Sequence, residues 1–109
     1  MHRMLDFGLA TADEICSELG SRLRAVRLSL NLQQADVAAK AGVSRGTVST
    51  LENKGQSTLA SFIRIVYALG LEDQLQELFI LKAHSIAEME HNERAKRKRA
   101  PRHPKQSSV

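Results

Sequence analysis

Apolar side chains recur along this chain at helical rather than strand spacing. Ile15, Leu19, Leu23, Val26 and Leu30 trace one stripe three to four residues apart, the period at which side chains share a face of an α-helix. Thr11 and Glu14 stand ahead of it as a T-x-x-E capping box, which marks where that helix begins. Asn31, tolerant of a left-handed backbone, is placed to end it. The first ten residues show no period and are expected to fray. A second helix is expected from Gln33 to Lys40, burying Val37, Ala38 and Ala41 and stopping at Gly42. Ser44 is placed to cap a third, which runs to about Asn53 and closes on Asn53, Lys54 and Gly55.

The pattern continues with Ser57 or Thr58 capping a fourth helix, in which Leu59, Phe62, Ile63, Val66 and Leu69 make the core face before Gly70. A fifth is expected from about Glu72 to Leu81, offering Leu75, Leu78 and Phe79. Beyond Ala83 the period weakens; Ile86 and Met89 are placed to continue a helix before a basic run with the composition of a disordered tail. The expected division is a flexible N-terminus over 1–10, a helical domain over 11–83, and a helical extension with a disordered basic tail over 84–109.

Composition narrows the class without changing the outline. A chain of 109 residues is one ordinary domain with tails, and with aromatics at 4% and no Trp its core must be aliphatic. Only two prolines and no alternating β-branched runs leave an all-α fold. The one cysteine, Cys16, allows no intrachain disulfide and fits a reducing compartment. No apolar run approaches the roughly 20 residues that span a bilayer, and the first residues lack the apolar stretch of a signal peptide. A soluble, cytoplasmic protein with no membrane partner is expected.

Charge is segregated. Arg22, Arg24, Arg27, Lys40, Arg45, Lys54 and Arg64 share their stretch with only Asp36 and Glu52. The next stretch sets Glu72, Asp73, Glu77, Glu88, Glu90 and Glu93 against Lys82 alone, and from Arg94 onward the chain is basic with no acid. The first basic block calls for an anionic partner, and the tail for a separate role.

That block coincides with the most informative stretch, Gln34 to Asn53. Two short helices meet at a three-residue turn, with Gly42 where the backbone needs positive φ and Ala38 where the helices approach closely. Val37, Val43, Val48 and Leu51 lock one helix across the other, whereas Arg45, Gly46, Ser49 and Thr50 fall on the opposite, small and polar side of the second. This is the pattern of a helix-turn-helix.

At this point the chain resembles the lambda-repressor-like regulators of the Xre and Cro type. The resemblance rests on Q-Q-A-D-V-A-A-K-A-G-V-S-R-G-T-V-S-T-L-E-N followed by T-L-A-S-F-I-R-I-V-Y-A-L-G-L, and covers about Leu19 to Phe79. It implies a five-helix domain with the helix-turn-helix at its centre and the third helix in the DNA major groove. By motif position it implies that Arg45, Gly46, Ser49 and Thr50 meet base edges, Arg45 pairing with a guanine and Gly46 admitting a close approach. It places Gln33, Gln34, Ser44, Thr47, Asn53, Lys54, Ser57 and Thr58 along the phosphate backbone, with Gln34 clamping a phosphate. Two positions depart from the family pattern: Gln33 stands where a capping Thr, Ser or Asn is usual, and Asn31 where Gly is usual. The start of the second helix is therefore expected to be looser than in the family.

The plainer reading of the same features is three amphipathic helices with a solvated basic face, and Arg22, Arg24 and Arg27 fit either phosphate contact or simple solubility. His84, Glu88 and His91 share a helical face but lack a fourth ligand, so no metal and no cofactor is expected. No phosphate-cradling glycine loop or nucleophile with a base is present in the sequence, and catalysis is not expected. Ile65, Tyr67 and Leu78 to Leu81 exceed what the core needs and suggest a homodimer surface, since one recognition helix reads few bases. The partners expected are double-stranded DNA, a second copy, and a toxin or other protein, the last because the chain also looks similar to antitoxins that pair with HipA-like kinase toxins. The competing class is a protein-interaction adaptor, and a third reading makes the basic tail a general nucleic-acid anchor.

Overall fold

Local capping chemistry sets where each helix begins. The structure, a computed structural model, describes residues 4–82 together with residues 90, 93 and 94. Thr11 and Glu14 close their box: the Glu14 N–H donates to Thr11 Oγ1 at 3.1 Å and the Thr11 N–H to Glu14 Oε1 at 2.9 Å. They open α1, Ala12–Ser29. Asn31 ends it with φ at 59°. Then follow α2, Gln34–Ala41, stopped by Gly42 at φ 72°, and α3, Arg45–Lys54, capped by Ser44 and stopped by Gly55 at φ 66°. Thr58 opens α4, Leu59–Ala68, and Gly70 turns the chain away at φ 76°.

The start of α2 is secured from the other direction than the family pattern suggests. Gln33 makes no side-chain cap, but the Asp36 carboxylate reaches back and accepts the Gln33 N–H at 2.8 Å. An acid in the first turn also suits the positive end of the helix dipole.

The described residues fall into two units divided after Gln76. In the first, α1 packs on α3, while α2 packs against both α3 and α4. Leu23, Val37, Ala38, Ala41, Val48, Leu51, Ile65, Val66 and Leu69 form one buried cluster, with Val26, Leu32, Val43, Phe62, Leu71 and Leu75 packed at its edge. Residues 7–9, without period in the sequence, form a 3-10 turn capped by Asp6. Phe7 lies under the Arg22 guanidinium, 5.1 Å from ring centre to Cζ, a cation–π contact that ties the turn to α1.

Two expectations fail. In α4 the core face is Phe62, Ile65, Val66 and Leu69, so Ile65, read as surplus, is 2% exposed, whereas Leu59 is 75% and Ile63 39% exposed. The helix is apolar nearly all round, and its period fits two adjacent faces equally well. The fifth helix does not form either. Glu72–Leu75 is a 3-10 turn with i to i−3 bonds from Gln74 to Leu71 and Gln76 to Asp73. Leu71 offers no side-chain cap to start an α-helix. Phe79, expected in a core, has φ at 58° and is 95% exposed. Over residues 4–82 the fold is four α-helices with two 3-10 turns and no strand.

Among the described residues no helix is long and apolar enough to cross a membrane, and no His, Cys, Asp and Glu group could hold a metal. His84, Glu88, His91 and the basic tail beyond Arg94 lie outside the described residues.

Candidate nucleic-acid interface

The inner side of α3 fixes the outer side. Val48 and Leu51 are buried against the core, and Gly20 of α1 sits directly over the Leu51 carbonyl, which a Cβ on residue 20 would strike. Sequence reasoning passed over Gly20, because its requirement lies in a backbone 31 positions away.

Arg27 and Glu52 hold the same contact from the side. Arg27 Nε donates to Glu52 Oε2 at 2.7 Å and Nη2 to Oε1 at 2.9 Å, with side chains only 8% and 3% exposed. A third donor, Nη1, reaches the Leu32 carbonyl at 2.8 Å, closing the end of α1. Burial works against the Glu52 charge, but hydrogen bonds from Arg27 and Gln34 with the Arg27 charge outweigh it, and its pKa lies below the usual carboxylate value. The same bond raises the Arg27 pKa. Arg27 is therefore neither a phosphate contact nor a solubilising charge. The clue in the sequence was an acid at position 52, one step from the Val48 and Leu51 stripe.

Arg45 and Gly46 stand exposed at the start of α3, with Ser49 half-buried one turn on. Asn53 Nδ2 donates to Ser49 Oγ at 3.1 Å, so these two side chains form one polar unit along the helix. Ser44 Oγ accepts the Thr47 N–H at 3.0 Å and lies 2.8 Å from Thr47 Oγ1, a bond that uses one of the two hydroxyl hydrogens and leaves the other free to donate. Among the described residues neither Arg45 nor Lys54 has an acidic partner.

Ser44, Gly46, Thr47 and Thr50 line an open concavity shared with Gln56, Ser57, Thr58 and Ser61 at the start of α4. Six of these were expected site residues; Gln56 and Ser61 were not. Ser61 was foreseeable, because its N–H donates to the capping Thr58 Oγ1 at 3.0 Å. Besides the capped Thr47 and Ser61, the first-turn N–H groups of α3 and α4 have no acceptor within their own helices and carry partial positive charge. Gln33 is exposed, and Gln34 lies apart from the concavity, half-buried on Glu52.

A short helix locked through a glycine turn onto its predecessor, with a face of small polar side chains, is the geometry of a helix-turn-helix. Residues 23–74 match the helix-turn-helix family model. This segment is thus a lambda-repressor-like, Xre-type helix-turn-helix domain, and the match supports DNA-binding transcription regulation in general. Such a domain is regulatory rather than catalytic. No curated protein matches the sequence closely enough to be counted a relative.

Proposed function

We propose that the protein is a dimeric repressor that reads a palindromic operator with α3 in the major groove of each half-site. Arg45, Gly46, Ser49 and Thr50 meet base edges, while Gln33, Gln34, Ser44, Thr47, Asn53, Lys54, Ser57 and Thr58 set the register on the phosphates. The observation that carries this is Gly46. It lies in an ordinary helical conformation, and a Cβ there would meet nothing closer than Ser44 Oγ at 3.8 Å. The fold has no use for a glycine at that position, and a groove that must come close does.

Dimerisation is supported by Leu59, Ile63 and Tyr67, exposed at four-residue spacing along α4. The exposed run Leu78 to Leu81 favours a second reading at the level of partners, an autoregulating antitoxin whose apolar segment binds a toxin. The test is selection of bound duplexes from a random pool by the full-length protein at near-physiological salt. An enriched palindrome with half-sites about 34 Å apart is expected. A folded protein that enriches nothing would turn the reading toward a protein-interaction adaptor.

A further inference from the structure

We propose that Glu52 is a positioning residue for the DNA backbone contact, its buried carboxylate holding the Gln34 amide in the orientation in which it clamps a phosphate. The inference rests on the DNA-binding reading above and adds to it a residue with no groove-facing position of its own.

The geometry is specific. Glu52 Oε1 receives two donors, Arg27 Nη2 at 2.9 Å and Gln34 Nε2 at 3.0 Å. An ionised carboxylate only accepts, so it must be the amide NH2 and not the amide oxygen that faces Glu52. That end has two hydrogens, and with one bound to Glu52 the other is left for an outside acceptor. Gln34 is the first residue of α2, where the Gln34 and Ala35 backbone N–H groups also lack helical acceptors, whereas the Asp36 N–H is bonded to the Gln33 carbonyl. A charge-assisted bond to a buried, doubly anchored carboxylate fixes this direction before any partner arrives. Glutamine loses much rotamer freedom when immobilised, so an amide ordered in advance spares that loss on binding. The Arg27 charge neutralises Glu52, and the pair sets no net negative charge near the phosphate.

A purely structural role, in which Gln34 only satisfies a lone pair of Glu52, predicts different binding data. The full-length protein is titrated with a fluorescent duplex of mixed sequence over a range of salt. Gln34→Ala should weaken binding about three- to tenfold. The loss should be alike on every duplex and leave the salt slope unchanged, because a neutral amide releases no counterion. The double variant Arg27→Met with Glu52→Leu replaces the ion pair by apolar groups of similar size, a change folds often tolerate. It should lose the same factor, and adding Gln34→Ala to it should cost nothing more. A folded double variant that binds like the unaltered chain, or losses that multiply, would overturn the proposal. Should the double variant not fold, side-chain NMR relaxation on the unaltered, DNA-free protein decides. The Gln34 NH2 should be as rigid as ordered backbone, with an order parameter of about 0.85, and a value below about 0.6 overturns the proposal. A chain that binds no duplex sinks the DNA-binding reading and this inference with it; binding that Gln34→Ala leaves intact sinks this inference alone.

Discussion

The two faces of α3 lie within one ten-residue helix and follow opposite rules. On the inner face each choice answers to the rest of the fold: Val48 and Leu51 fill the core, Glu52 is bonded to two other helices, and Gly20 exists because the Leu51 carbonyl comes so close. On the outer face Arg45 has no acidic partner among the described residues, and a Cβ on Gly46 would meet only Ser44 Oγ, at an ordinary 3.8 Å. Both faces contact a glycine or carry one, yet for unrelated reasons. A glycine whose missing Cβ would strike backbone, or whose φ is positive, belongs to the fold; Gly46, helical and without a clash, answers to neither need.

The comparison breaks most severely at Glu52. Glu52→Ala leaves the Arg27 guanidinium buried without its partner and should destabilise the protein by about 3–5 kcal/mol in urea unfolding. A loss under about 1 kcal/mol would mean that the pair is far more solvated than its geometry suggests. The pH dependence follows in sign. The Glu52 pKa is lowered in the folded chain from its ordinary value of 4.5, so its contribution is complete above that value. It should vanish as the pH falls through the lower folded value. The double variant Arg27→Met with Glu52→Leu should lack this part of the acid sensitivity.

Gly20→Ala is the next largest. Its Cβ meets the Leu51 carbonyl, backbone that cannot turn aside, and the cost should sit near the upper end of the roughly 1–3 kcal/mol typical of overpacking. Since Ala is otherwise the better helix former, a neutral or stabilising result would show that α1 and α3 are not held so close.

On the outer face the effects should move from stability to binding. Arg45→Ala should leave the melting temperature unchanged, cost about 1–3 kcal/mol on the selected operator, and cost little on random duplexes. Equal losses on both would remove Arg45 from base reading and make it a phosphate contact.

The inner and outer faces also differ in how far the sequence reveals them. Caps, the left-handed stops at Asn31 and Gly42, and the buried positions of α2 were legible because each depends on neighbours within one or two turns. So was the split of α3 into a packed and a polar side. The Arg27–Glu52 pair, 25 positions apart, and the requirement at Gly20 depend on how helices cross, which periodicity does not encode. The face of α4 was misread because Ile63 and Ile65 are equally apolar and only packing chooses between them. Spacing alone predicts a fifth helix, but Leu71 offers no side chain to cap it.

Gly46 separates the two rules at the smallest energy and with opposite signs. Replacing it by alanine introduces no clash and removes a flexible residue from the first turn of α3, so stability should rise by a few tenths of a kcal/mol and by no more than about 1 kcal/mol. If the outer face seats against a groove, the same methyl intrudes there, and affinity for the selected operator should fall while the melting temperature rises. A variant both more stable and equally tight would make Gly46 a neutral surface position, and the argument from its missing Cβ would have to be withdrawn. A variant less stable would place the reason for the glycine back inside the fold. Only the crossed outcome, tighter folding with weaker binding, assigns the glycine to what lies outside the protein.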